Sequence, residues 1–268
     1  MTDGKRPALW QQWIRAWGCD CAVVIILAGV CVFQRLGELH VNERNNREPF
    51  EGFRDDPERD LSRPFIEHET VPFSVLFSLV ILVICIEVGI RAVEVYCRSG
   101  LHRSIQALIG ASLCALECFF GSIAASQFFK DHFCRLRPDY IAREHIAATA
   151  TIQTDTNTSF FAAEIVADGR ISFPSGHATL MSAVFLLIIL GRFRDIRFHS
   201  TIKHWIFTVI YSLILIVITT FVCITRVADN RHHVSDVIFG CIIGVITAVL
   251  CHLRWRSYTP LFSHMKQH

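Results

Sequence analysis

Six stretches of mostly apolar residues, each close to the length that crosses a bilayer, dominate this chain. A hydrocarbon core of about 30 Å takes roughly 20 residues of helix, and inside it every backbone N–H and C=O must be bonded within its own segment. Hydropathy places the stretches at roughly 19–33, 71–96, 104–129, 177–190, 205–224 and 234–253. The expected fold is therefore all-α, a polytopic integral membrane protein with six transmembrane helices, and a single domain over 1–268 with its core at about 47–253. A chain that is 52% hydrophobic and 19% charged, with mean hydropathy +0.40, is too apolar for an ordinary soluble domain. A net charge of +2 confined to loops also speaks against nucleic acid as a partner.

Basic residues divide unevenly between the connections. Lys5, Arg6 and Arg15 precede the first stretch, Arg98 and Arg103 fall in the second connection, Arg192, Arg194, Arg197 and Lys203 in the fourth, and Arg254, Arg256 and Lys266 after the sixth. By the positive-inside rule both termini are cytosolic, and the first, third and fifth connections lie outside the cell or in an organelle lumen. The sequon Asn157-Thr158-Ser159 falls in the third connection, where a glycan can be attached. The fourth stretch is short, and Arg192 and Arg194 are expected to snorkel and lengthen it. Glu87, Arg91 and Glu94, at i, i+4 and i+7, read as an internal ion ladder. Glu117 finds no partner in the pattern. Cys19, Cys21 and Cys97 sit near the cytosolic boundary, where palmitoylation is an option, with a buried thiol as the default.

The residues able to do chemistry gather at the opposite boundary. Lys130 and Arg137 close the third stretch seven residues apart, so two helical turns would bring both cations to one face before Pro138 ends the segment. Phe173-Pro174-Ser175-Gly176-His177 opens the fourth stretch, placing a hydroxyl and a histidine at a helix start whose free N–H groups favour an anion. Thr225-Arg226 is followed by His232 and, four residues on, by Asp236, so a helical start sets a carboxylate one turn from the imidazole. Three cations, a helix terminus, two histidines and a carboxylate suit phosphoryl transfer, in which one histidine attacks and the other protonates the leaving alkoxide. Either histidine could attack on chemistry alone. The Asp236 spacing favours His232, because a neighbouring carboxylate can fix the ring tautomer and stabilise its cation. His232, His233 and Asp236 can also be read as metal ligands, but no dense carboxylate cluster accompanies them. Single cations at a membrane edge are ordinarily anchors, so Arg135 and Arg143 receive no role, and His132, His145 and His233 stay unassigned.

Lys130-x6-Arg137-Pro138, Pro174-Ser175-Gly176-His177 and Thr225-Arg226-x5-His232-x3-Asp236, in that order, resemble the three signature blocks of the type 2 phosphatidic acid phosphatase superfamily. The stretch Pro49-Phe50-Glu51-Gly52-Phe53-Arg54-Asp55-Asp56 and Glu69-Thr70-Val71-Pro72 resemble in particular the eukaryotic lipid phosphate phosphatases. Thr225 stands where serine is usual, Pro174 where animal relatives often carry tyrosine, and the third connection lacks their cysteine pair. The resemblance implies His232 as nucleophile forming a phosphohistidine, Asp236 orienting it and His177 as acid. It gives Lys130, Arg137, Ser175, Gly176 and Arg226 to the phosphate, with no metal and no cofactor. The implied substrates are phosphatidate, lysophosphatidate, sphingosine 1-phosphate and ceramide 1-phosphate. The implied setting is the plasma membrane or an endomembrane, with the site on the extracellular or lumenal side. Alternatives are a phosphatase for an isoprenoid diphosphate or a sugar phosphate, and a noncatalytic lipid-binding or scaffold relative. Partners are the lipid phosphate and the bilayer, with a homo-oligomer possible.

Overall fold

A computed structural model of the chain describes residues 9–37, 51, 60–151, 156–196 and 201–257. Among them are eight helices and no strand. They are α1 (Leu9–Gly37), α2 (Phe73–Ser99), α3 (Leu101–His132), α4 (Tyr140–Thr151), α5 (Thr156–Gly169), α6 (Gly176–Ile196), α7 (Ile202–Ala228) and α8 (Val234–Ser257). Six of them, all but α4 and α5, are long and apolar enough to cross a membrane. The first-loop stretch at 49–56 lies outside the described residues apart from Glu51.

The apolar stretches become these six helices because each carries exposed aliphatic side chains on one side, such as Ile214 and Val217 of α7, and a packed face on the other. The core runs through Leu76 and Val80 of α2, Phe119 of α3, Leu180, Val184 and Phe185 of α6, and Leu215 of α7. α6 is the central helix. Two thirds of its span is buried, against 6% of the α1 span, and it packs most extensively on α8. Glycines make that contact possible. A Cβ on Gly244 would stand 2.5 Å from the Thr179 carbonyl oxygen, and one on Gly240 2.6 Å from that of Ser175, so any larger residue would force the two backbones apart. Gly240 thereby sets how closely α8 approaches the start of α6.

Ion pairs fasten the end of the bundle where α1 begins and α8 finishes. The ladder predicted within α2 is real but wider, because α6 completes it. Arg91 donates to Glu87 at 2.6 Å and to Asp195 at 2.6 Å, while Arg192 bonds Glu87 and Glu94 at 3.0 Å each. Arg192 is only 3% exposed, which corrects the snorkelling expectation: pairing across the helix interface holds it inward. The helix itself continues to Ile196, so α6 needs no such lengthening. Glu117 also has partners, for the Trp255 indole N–H donates to it at 2.7 Å and the Arg254 Nε lies 3.1 Å away. Arg254 then reaches Asp20 of α1 at 2.7 Å, and Trp17 stacks on Trp255. Cys19, Cys21 and Cys97 are exposed on the helix surfaces rather than buried.

Candidate active site

The other end of the bundle holds the signature residues. α6 starts at Gly176, and its first helical hydrogen bonds run from the Thr179 N–H and hydroxyl to the Ser175 carbonyl, each at 3.0 Å. The N–H groups of Gly176, His177 and Ala178 therefore precede the first bonded turn, at the positive end of a helix of 21 residues. The Ser175 hydroxyl is fully buried and has no hydrogen-bond partner. A Cβ on Gly176 would sit 3.8 Å from Lys130 Nζ and 3.5 Å from Ser126 Oγ, so the absent side chain leaves a cradle between the helix start and the lysine.

Lys130 lies in the last turn of α3, but Arg137 does not share its helix. α3 ends at His132, Phe133 turns extended, and Arg135 forms an isolated bridge with Ile171. This corrects the two-turn reading of the block, in which both cations rode one helical face. The backbone instead runs alongside 169–172, with Arg137 N–H bonded to the Gly169 carbonyl and Ser172 N–H to that of Arg135. Arg137 reaches the site from that strand-like segment.

A cavity of about 750 Å³ collects these groups. Lys130, Arg137, Gly176, His177, Arg226 and His232 all line it, while Ser175 and Asp236 are fully buried. Pro72, which caps α2, Phe73 of α2, Ile123 of α3, Leu180 of α6 and Cys31 of α1 form its apolar side. The Phe73 ring meets the His177 ring edge-on at 5.7 Å. Arg226 Nη1 stands 3.4 Å from His177 Nε2, so the guanidinium presents its proton to the ring nitrogen that faces the cavity.

His232 is buried, and its Nδ1–H donates to the Ser172 carbonyl at 2.7 Å, which leaves Nε2 as the nitrogen with a free lone pair. Burial, together with the charges of Arg137 and Lys130, holds its pKa well below the usual imidazole value, so the ring is neutral at neutral pH. Asp236 does not take the Nδ1 proton directly, standing 3.9 Å away. It caps α8 by accepting the His233 N–H at 2.9 Å, and it accepts the Ser172 hydroxyl at 2.5 Å. Asp236 thus holds both the residue after His232 and the residue whose carbonyl orients the ring. Its own backbone carbonyl accepts the Ser175 N–H at 3.0 Å, tying the two histidine segments together.

Arg135 neutralises Asp236, donating to its carboxylate and also to Ser235 Oγ at 2.6 Å. The pair is 4% and 0% exposed. Breaking a buried pair from one side leaves an uncompensated charge, so Arg135→Gln is expected to destabilise the fold by roughly 3–5 kcal/mol. Denaturant melting of the variant in detergent micelles measures this.

The arginines that line the cavity already carry counter-ions. Arg137 bonds Asp168 at 2.9 Å, and Asp168 also takes Arg143 at 3.0 Å. Burial pushes the Asp168 carboxyl up, but Arg137, Arg143 and Lys130 more than reverse it and hold it at about 2. Arg226 bonds Glu69 at 2.7 Å and Asp229 at 2.9 Å. Asp229 in turn accepts the Thr70 hydroxyl and N–H, and Glu69 lies 3.2 Å from Arg231. Sequence reasoning missed Arg135, Arg143, Asp168, Ser172 and Arg231. For Arg135 and Arg143 the signal was visible, since each is a second cation within a few residues of Arg137. His233, a member of the metal reading, turns its Nε2 to the Leu136 carbonyl at 3.0 Å. Asn157 sits at the start of α5, and its side chain lies outside what is described.

The PAP2 superfamily model matches residues 111–259, more than half of the chain. The chain belongs to the PAP2 superfamily. It is thus a phosphatase by family, and the match covers α3 from its middle to the end of α8, which includes every block that carries the cavity. No match was found among curated proteins or among solved structures. α1, α2 and the first loop lie outside the matched PAP2 region, yet Cys31, Gln34, Glu69 and Phe73 line the same cavity.

Proposed function

We propose that this PAP2 phosphatase hydrolyses phosphate monoesters of lipids, phosphatidate, lysophosphatidate, sphingosine 1-phosphate and ceramide 1-phosphate being the class, through a phosphohistidine and without a metal. The observation that carries the reading is the cavity itself: a cation-lined cradle at the ends of spanning helices, continuous with an apolar wall of Phe73, Ile123 and Leu180. A lipid presents its phosphate at that depth while its tail stays in hydrocarbon.

In this mechanism Lys130, Arg137 and Arg226, with the first N–H groups of α6 and the Ser175 hydroxyl, hold the phosphate oxygens and neutralise charge on them. His232 Nε2 attacks phosphorus, forming the N–P bond as the P–O bond to the alkoxide breaks. The Ser172 carbonyl keeps the Nδ1 proton in place as positive charge grows on the ring. A phosphate that draws Arg226 onto its oxygens frees His177 Nε2 to hold the proton that the departing alkoxide takes. Water then attacks phosphorus, His177 accepts a proton from it, and the N–P bond breaks to return free His232 and orthophosphate.

Phosphate release from a panel of lipid phosphates by the purified protein tests the reading. Turnover is expected to persist in excess EDTA, and loss of activity in chelator with rescue by magnesium would overturn the metal-free chemistry.

The bias of basic residues further supports an orientation with both ends of the described chain cytosolic and the cavity on the extracellular or lumenal side. Trp17 stacking on Trp255 puts the start of α1 and the end of α8 at one face, so one orientation serves both. In a glycosylating host a glycanase should then shift the protein's mobility, and Asn157→Gln should abolish the shift. Protease access to the 140–169 segment from the cytosolic side would contradict it.

A further inference from the structure

A second cavity, of about 150 Å³, opens at the face of the bundle away from the active site. Its mouth carries Arg98, Arg103 and Arg194, and its walls are largely apolar, with Val88, Val95, Ala107 and Ala111 among them. Nothing in the phosphatase chemistry uses it.

The charges at this mouth do not cancel. Asp195 is held by Arg91 at 2.6 Å and by Arg194 at 3.5 Å, Glu87 by Arg91 and Arg192, and Glu94 by Arg192. Every carboxylate lining the cavity is thereby matched. Arg98 and Arg103 have no carboxylate partner among the described residues, and Arg98 meets only the His204 ring at 3.5 Å. Between these two arginines α3 begins. Its cap is Gly100, at φ 80°, and no side chain bonds the first turn. The Ser104 hydroxyl, which could have served, is turned inward to the Ala92 carbonyl at 2.7 Å. The positive end of a helix of 32 residues therefore lies in the chain between two cavity-lining guanidinium groups that have no carboxylate partner among the described residues.

Val88 and Val95 of α2 and Ala107 and Ala111 of α3 line the cavity, and both helices are long and apolar enough to cross a membrane, so its walls lie at the depth of hydrocarbon rather than in open water. The volume corresponds to about five waters at roughly 30 Å³ each, room for a phosphate or a few methylenes but not a whole lipid. We propose that this cavity is a second lipid site, taking an anionic phospholipid from the leaflet opposite the active site. Its phosphate sits at Arg98, Arg103 and the α3 start. The first part of one chain lies against Ala107 and Ala111, and the remainder stays in the bilayer.

Native mass spectrometry of the full chain released from detergent tests this, with phosphatidylserine, phosphatidylcholine and soluble glycerophosphoserine as probes. All three are phosphodiesters, so retention does not depend on the phosphatase reading. Phosphatidylserine should be retained over the other two. Arg98→Gln with Arg103→Gln should lower its retention roughly tenfold or more. Ala107→Phe, which fills the apolar wall and keeps every charge, should lower it too, whereas Lys203→Gln, an exposed charge outside the cavity, should not. Unchanged retention in the double variant or in Ala107→Phe overturns the site. Equal loss in Lys203→Gln would show diffuse surface charge instead, and equal binding of glycerophosphoserine a soluble-anion site. Aryl phosphate hydrolysis, at the far end of the bundle, reports that each variant is folded.

Discussion

Replacing His232 by alanine is expected to lower turnover by roughly 10³-fold or more, because removing a covalent nucleophile leaves only binding and electrostatics to act. The position of the ring makes this specific. Nδ1 is committed to the Ser172 carbonyl at 2.7 Å, so Nε2 alone can attack, and burial beside Arg137 and Lys130 keeps it unprotonated. The acidic limb of the kcat/KM profile due to this residue should accordingly fall below 6.5, the ordinary imidazole value. The same depressed pKa makes the unfolded chain the better proton acceptor, so the stability this ring contributes is present above 6.5 and is lost as pH falls below it. Rapid quench with labelled substrate should trap an acid-labile phosphate that maps to His232 and is missing in His232→Ala. A label on His177 or Ser175 would reassign the nucleophile.

His177→Ala should instead produce a defect that depends on the leaving group. An alkoxide needs a proton as it departs, and a positioned acid is worth typically 10²–10⁴-fold. On a lipid phosphate the variant should lose about that much. On an aryl phosphate, whose phenolate leaves without help, most of the rate of phosphoenzyme formation should return. His177 stands next to Arg226, with Nη1 3.4 Å from its Nε2, and at the cavity wall rather than behind it. An equal loss on both substrates would mean that the ring serves binding, not proton transfer.

Much of this architecture is written in single stretches of sequence. Spans of some 20 apolar residues announce themselves, and blocks with fixed spacing such as Thr225-Arg226-x5-His232-x3-Asp236 survive because short local geometry places them. What could not be read is whatever depends on long-range pairing. Arg135 looked like an edge anchor because its partner Asp236 is 101 residues away. Glu117 looked orphaned because Trp255 is 138 residues away. Ser172 meets His232 through its backbone carbonyl, which leaves no trace in side-chain identity, and its hydroxyl meets Asp236 64 residues away. α4 and α5 went unseen because 12 and 14 residues of mixed polarity give neither a spanning run nor a sharp apolar stripe. Even the Lys130 and Arg137 spacing led to the right cavity by the wrong geometry, since Arg137 arrives on an extended segment rather than a second helical turn.

The counter-ions already seated on Arg137 and Arg226 bear, in the proposed mechanism, on how the product leaves. Asp168 pairs with Arg137, and Glu69 with Asp229 pairs with Arg226, so both of these cavity-lining guanidinium groups have carboxylate partners. In the proposed mechanism, orthophosphate leaving the cradle would return Arg137 and Arg226 to carboxylates anchored within the same fold. The proposed mechanism therefore predicts short product residence and weak inhibition by ambient anions.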